Sequence, residues 1–87
     1  GIPYPNPFNP TVHFTLQVTD PAPVSLSIVD VSGRTIFTFP AQFVSPGTSQ
    51  WSWEGVNSQG EAVATGMYFL VGRQGQHRQT RKILLLK

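Results

Sequence analysis

One stretch decides how this chain folds: residues Trp51 to Leu70, which read WSWEGVNSQGEAVATGMYFL. It begins with Trp51 and Trp53, which are two residues apart and so point to the same face of a strand. The middle, residues 55–60, is dominated by Gly, Asn, Ser and Gln, which favour turns. Large apolar residues resume after Gly66. The pattern predicts two strands joined by a long loop, and it places the hydrophobic centre of the domain here.

Shorter apolar runs on both sides of this stretch alternate with period two. Residues 12–18 and 24–28 each place apolar side chains on one face and polar ones on the other, as a half-buried strand does. Asp30 to Gly33 predicts a tight turn, so residues 34–39 return as the second arm of a hairpin. About seven short strands separated by turn signals predict an all-β fold, an antiparallel β-sandwich.

The rest of the chain fits a single domain over residues 1–87, as its length favours. Residues 1–10, GIPYPNPFNP, contain four prolines and predict an extended lead-in strand at a sheet edge. Residues 40–47 predict a looser connection between strands. Ile83 to Leu86 is a continuous apolar run, and it predicts that the last strand, residues 78–86, is buried on both faces.

The inward positions of these strands define an expected core. A chain of this length buries only a modest core, and it has no cysteine, so apolar packing must hold the fold. The predicted core consists of Phe14, Leu16, Leu26, Ile28, Trp53, Tyr68, Leu70, Ile83 and Leu85.

The charge of the chain is small but unevenly placed. The formal net charge is +2, five of the six basic residues lie at Arg73 or later, and no acidic residue follows Glu61. This basic end indicates either a solvated strand whose edge is protected by charge or a contact with an anionic surface component. We expect no nucleic-acid partner, because few aromatic residues are interleaved with the cations. No apolar run approaches the roughly 20 residues that span a bilayer.

Catalytic and cofactor motifs are missing from the sequence. It has no Gly-x-Ser-x-Gly, no phosphate-binding Gly-rich loop and no cysteine, and His13 and His77 lie far apart. Residues 54–61 supply two carboxylates and two amides, which is typical of a polar turn more than of a calcium loop. We therefore expect a non-catalytic domain with no metal site and no cofactor.

Trp51 and Trp53 admit two interpretations. Side chains on one face of a strand, roughly 7 Å apart, can stack on a saccharide, so the pair is a candidate ligand platform of a carbohydrate-binding module. The competing interpretation places both in the core, because they lead directly into the densest apolar region of the chain.

Several short phrases occur together in one order that resembles a known family. They are YPNPFNPT from Tyr4, VDVSGR from Val29, Pro46-Gly47, Trp53-Glu54-Gly55, GEAV from Gly60, Gly66-Met67-Tyr68 and Arg81-Lys82-Ile83. Together they resemble the type A C-terminal sorting domain of the type IX secretion system, which is closely similar to the immunoglobulin-like domain of the flagellar hook-capping protein. The family's usual Trp-Asp-Gly is Trp-Glu-Gly here.

The resemblance implies an immunoglobulin-like sandwich and a role in delivery. The domain would be the C-terminal module of a larger secreted bacterial protein, as its start at Gly1 without Met also suggests. Its partners would be the secretion machinery of the outer membrane and an anionic surface polysaccharide. Its location would be secreted or cell-surface, reached through the periplasm. The family's signal residues fall on Gly66, Tyr68, Lys82 and Lys87. A structural spacer or assembly domain stays open as an alternative.

Overall fold

The computed structural model describes residues 11–19 and 22–86. This part of the chain contains seven β-strands and no helix. The strands are β1 (Val12–Val18), β2 (Ala22–Asp30), β3 (Thr35–Thr38), β4 (Gln42–Val44), β5 (Gly47–Trp53), β6 (Gly66–Gln74) and β7 (His77–Leu85). The predicted lead-in strand at residues 1–10 lies outside the described residues, as do the turn at Asp20-Pro21 and the signal residue Lys87.

The strands form two antiparallel sheets. The smaller sheet pairs β1 with β5, and the larger has the order β3–β2–β6–β7, with β4 also paired to β2. The strands on either side of the long loop, β5 and β6, therefore belong to different sheets and face each other across the sandwich. The prediction of an all-β antiparallel sandwich is confirmed.

The hairpin of β2 and β3 is closed by one acidic side chain. The Asp30 carboxylate accepts hydrogen bonds from the Ser32 hydroxyl at 2.6 Å and from the backbone N–H groups of Ser32 and Arg34 at 3.0 Å each. Gly33 has a φ of +87°, a conformation that other residues rarely adopt. The hydrogen bond from the Ser32 hydroxyl is the main reason that the pKa of Asp30 lies below its ordinary value.

The core lies between the two sheets and matches the expected set closely. Eight of its nine predicted members are buried, and Leu16 is half-buried against them. Trp53, Leu26, Ile28 and Leu85 are the largest side chains that are almost fully enclosed. Val18, Val24 and Val44 join the core as well. The alternation of the sequence therefore gives the correct inward face of each of these strands.

Two expectations about local structure were wrong. The region predicted as a loose connection, residues 40–47, contains the short strand β4, which pairs with the start of β2. The last strand is not buried on both faces, because Leu84 is 59% exposed and Leu86 is 64% exposed. The sandwich has only two layers, so the other sheet covers the inward residues Ile83 and Leu85 and leaves the outward face of β7 towards solvent.

Candidate functional site

The loop between β5 and β6 is held by its own polar groups. The Asn57 side-chain oxygen accepts from the backbone N–H groups of Gln59 at 3.0 Å and Glu61 at 2.9 Å. Its amide nitrogen donates to the Glu61 carboxylate at 3.2 Å. A bridge between Val56 and Ala62 closes the base of the loop. These bonds occupy the Asn57 oxygen that a calcium site would need, so the structure supports the interpretation of this segment as a turn.

Tyr68 ties this loop to the core. Its hydroxyl donates to the carbonyl oxygen of Ala64 at 2.6 Å, and its ring packs edge-on against Trp53 with centroids 5.2 Å apart. A tyrosine near the start of a strand that bonds back to the preceding corner is a recurring device of immunoglobulin-like sandwiches. Burial raises the pKa of the Tyr68 phenol above its ordinary value, and the nearby Asp30 carboxylate acts in the same direction.

The two tryptophans are both engaged within the fold. Trp53 is 1% exposed, and its indole N–H donates to the carbonyl oxygen of Val56 at 2.8 Å. Trp51 is half-buried, packs edge-on against Phe39 at 5.7 Å, and donates to the Ser49 hydroxyl at 2.9 Å. A saccharide has no access to the Trp53 ring in this arrangement. The core interpretation of Trp53 is therefore the one that the structure supports.

The residues matched to the family's signal occupy three different environments. Gly66 begins β6 opposite Leu85, and Tyr68 is buried two residues later. Lys82 lies on the outward face of β7, opposite Phe69, and its side chain is exposed. Of these three residues only Lys82 presents a side chain that a partner can contact directly. Lys87 lies outside the described residues.

The cations at the basic end are distributed over both faces of the larger sheet. Arg73 of β6 and Arg78 of β7 are directly opposite each other in the ladder. Like charges in such a cross-strand pair are destabilising. Arg81 shares the inward face of Ile83 and Leu85, and its guanidinium donates to the carbonyl oxygen of Thr15 in β1 at 3.1 Å. This contact was not predicted from the sequence. The position of Arg81, two residues before a buried isoleucine, is the signal that indicates it.

A cleft of about 430 Å³ opens between the sheets beside Arg81. Val18, Leu26 and Leu70 form its apolar floor, and His77 lies at its rim. Gly72 of β6 keeps the floor clear, because a Cβ at this position would lie 3.1 Å from a methyl group of Leu26. None of the described residues that line the cleft has a carboxylate, so the lining offers no acid to pair with the histidine.

Groups that could bind a metal do not assemble in the described part of the chain. Among residues 11–19 and 22–86, no three side chains of His, Cys, Asp or Glu come close enough together to hold a metal ion. The same residues contain no helix with the length and apolar character needed to cross a bilayer.

The sandwich and the tyrosine device together define an immunoglobulin-like domain. A family model described as the FlgD Ig-like domain matches residues 6–71, and the chain belongs to this family. No curated protein and no solved structure matched the chain. The resemblance to the flagellar hook-capping domain is thereby confirmed, and domains of this family are generally structural and not catalytic. The similarity to type IX sorting domains stays a prediction. β7 lies beyond the matched residues.

Proposed function

We propose that this domain is a non-catalytic module through which a larger bacterial protein is secreted and displayed at the cell surface. The secretion machinery of the outer membrane is the proposed partner, and the route passes through the periplasm. The observation that supports the proposal is the outward face of β7. This strand presents Lys82 and Leu84 to solvent, whereas its inward residues Ile83 and Leu85 belong to the core.

The two faces of β7 differ in burial: one packs in the core and the other faces solvent. Ile83 is 6% exposed and Leu85 is fully buried, so these side chains are sufficient to attach the strand to the sandwich. Leu84, on the opposite face, contributes much less to the core because it is 59% exposed. Lys82 on the same face is exposed as well. Leu84 lies opposite the exposed Met67 of β6, and contiguous exposed apolar side chains are typical of interaction surfaces.

Gly66 and Tyr68 would act indirectly in this proposal. Tyr68 is buried and holds the preceding loop, so it sets the position of β6 and, through their shared ladder, of β7. The readable part of the signal would then be Lys82 together with Lys87. An anionic surface polysaccharide is a second proposed partner, for which the adjacent Arg73 and Arg78 supply positive charge.

A structural spacer or assembly role is the second candidate, and the family match favours it. Deletion distinguishes the two. The full 87-residue chain is fused behind a reporter with a signal peptide in a bacterium that has type IX secretion. The fraction of reporter accessible to protease at the cell surface is then measured. The sorting role predicts surface reporter with the module and periplasmic reporter after removal from Tyr4 onward. Surface display without the module would leave the spacer role as the better proposal.

Charge-neutral variants test where the signal lies. Lys82→Gln combined with Lys87→Gln should trap the reporter in the periplasm and leave the thermal unfolding of the isolated domain nearly unchanged, because exposed positions contribute little to stability. The control is Arg34→Gln, which removes a positive charge from an exposed position outside the proposed contacts and should leave display unchanged. Normal display of the lysine variant with an intact fold would show that the signal does not depend on these lysines.

A further inference from the structure

The free edges of β1 and β7 line a common groove. Among the described strands β1 pairs with β5 alone and β7 pairs with β6 alone, so each keeps one row of backbone groups outside the ladders. The groove has a volume of about 700 Å³. Its walls include residues 12–15 of β1 and residues 81–84 of β7. Since consecutive residues line each wall, the walls are formed by strand edges and not by one face of either strand.

One contact shows that a backbone acceptor of β1 points into this groove. Thr15 lies opposite Gln50 in the smaller sheet, yet its carbonyl oxygen accepts a hydrogen bond from the Arg81 guanidinium on the other side. In a continuous ladder this acceptor would bond to the N–H of a neighbouring strand. Here a side chain of β7 occupies that place, so the two edges are near each other but are not paired.

The groove has a definite chemical character. Its polar lining includes the basic residues His13, Arg81 and Lys82, and none of its described lining residues has a carboxylate. Phe14 and Trp51 supply apolar surface on the inward side. Along β7 the outward face of the groove carries Lys82 and Leu84 and the inward face carries Arg81, so an extended segment would meet a cation on each of its faces together with apolar side chains. A segment that combines acidic with apolar residues satisfies both kinds of lining.

Other occupants fit less well. A second copy adding its own β7 to this edge would bring Arg78, Arg81 and Lys82 near the same residues of its partner, and like charges across strands are destabilising. The chain's own residues 1–10 contain no acidic residue, and their four prolines have no N–H to donate to a ladder. Charge complementarity thus favours an acidic segment from another protein.

We propose that the groove between β1 and β7 binds an extended acidic segment of a partner protein, which adds to β7 as a further strand. Main-chain hydrogen bonds to the free edge would give affinity, and the alternating side chains would give specificity. This inference rests on the geometry of the groove and does not depend on the proposed role in secretion. A result against one therefore leaves the other intact.

The probe is a fluorescein-labelled octapeptide that alternates valine with glutamate, titrated into the full 87-residue chain and followed by fluorescence anisotropy. We expect saturable binding that Lys82→Glu weakens by about tenfold, since it reverses a charge at the rim of the groove. The matched control is Arg73→Glu, which makes the same charge reversal on β6, away from the groove lining. This control should change the affinity far less. Circular dichroism verifies that both variants stay folded.

Backbone pairing is tested with two further peptides, N-methylated on the valines or on the glutamates. Strand addition requires one edge of the peptide to donate N–H groups, so at least one of these peptides should lose binding. The proposal is overturned if the unmodified peptide does not bind, or if both methylated peptides bind as tightly as it does. Equal loss with Lys82→Glu and Arg73→Glu would also overturn it, because that result indicates nonspecific attraction to a basic surface.

Discussion

Replacing Trp53 by alanine is the most direct test of how this sandwich is held together. The side chain is 1% exposed, lies between the two sheets, and contacts the Tyr68 ring at 5.2 Å. A buried tryptophan removes up to about 250 Å² from water, which corresponds to roughly 6 kcal/mol as an upper value. Core truncations of this kind cost about 3–5 kcal/mol in practice. We expect Trp53→Ala to lie in that range.

The indole N–H adds a polar contribution that a second variant isolates. Its hydrogen bond to Val56 holds the start of the loop, and the carbonyl oxygen loses this donor in any substitution. Trp53→Phe keeps an aromatic ring but loses this bond and part of the volume, so it should cost about 1–2 kcal/mol. This milder variant is needed because the total stability of a domain this size is roughly 4–13 kcal/mol. The alanine variant can approach that limit.

Urea denaturation followed by far-ultraviolet circular dichroism measures both free energies of unfolding. Trp51→Ala is the matched control, since that side chain is only half-buried on the same strand and should cost clearly less. A loss of under about 1 kcal/mol for Trp53→Ala would contradict the burial of this side chain, because truncation of a large core side chain destabilises a domain by more than that. Equal losses for Trp51→Ala and Trp53→Ala would also contradict the burial difference between the two.

Two further predictions concern pH. Tyr68→Phe should cost about 1 kcal/mol at neutral pH, because the hydrogen bond to Ala64 is lost. Folding raises the pKa of Tyr68, so the stability that its hydroxyl contributes is present below about pH 10 and is lost as the pH rises through the raised pKa. The melting temperature of Tyr68→Phe should therefore fall less steeply with pH in this range than that of the parent protein. The Asp30 pKa is lowered, so its contribution is present above about pH 4 and lost in acid. Melting curves of Asp30→Asn should therefore show a weaker acid dependence than the parent, and an unchanged acid profile would contradict this role.

The prediction of the fold was accurate where the sequence pattern is compatible with only one secondary structure. Val24, Leu26 and Ile28 alternate strictly with polar residues, and a strand covered on one face is the structure that satisfies this pattern. The turn at Asp30 was equally specific, because its side chain bonds the backbone locally and needs no tertiary partner. In both places the local chemistry and the tertiary fold favour the same conformation.

The errors arose where burial depends on strand order. Leu84 and Leu86 are as apolar as Leu85, so composition alone predicts that all are buried. Whether the second face of β7 is covered depends on whether another layer packs over it, and a single sequence does not specify that arrangement. The short strand β4 was missed for a related reason. Its three residues pair only with the start of β2, and so brief a run has no period of its own.

The same topology explains why the proposed interaction surface could be only half predicted. Lys82 was matched to the family's signal, but nothing in its own neighbourhood of the sequence indicates that β1 approaches from the other side. The hydrogen bond from Arg81 to Thr15 shows that β1 lies close to β7, although the two residues are 66 positions apart in the chain. The edge of β7 is therefore a product of the whole sandwich. If that edge is the surface that partners use, substitutions on β1 that move Thr15 should alter recognition as strongly as substitutions on β7 itself.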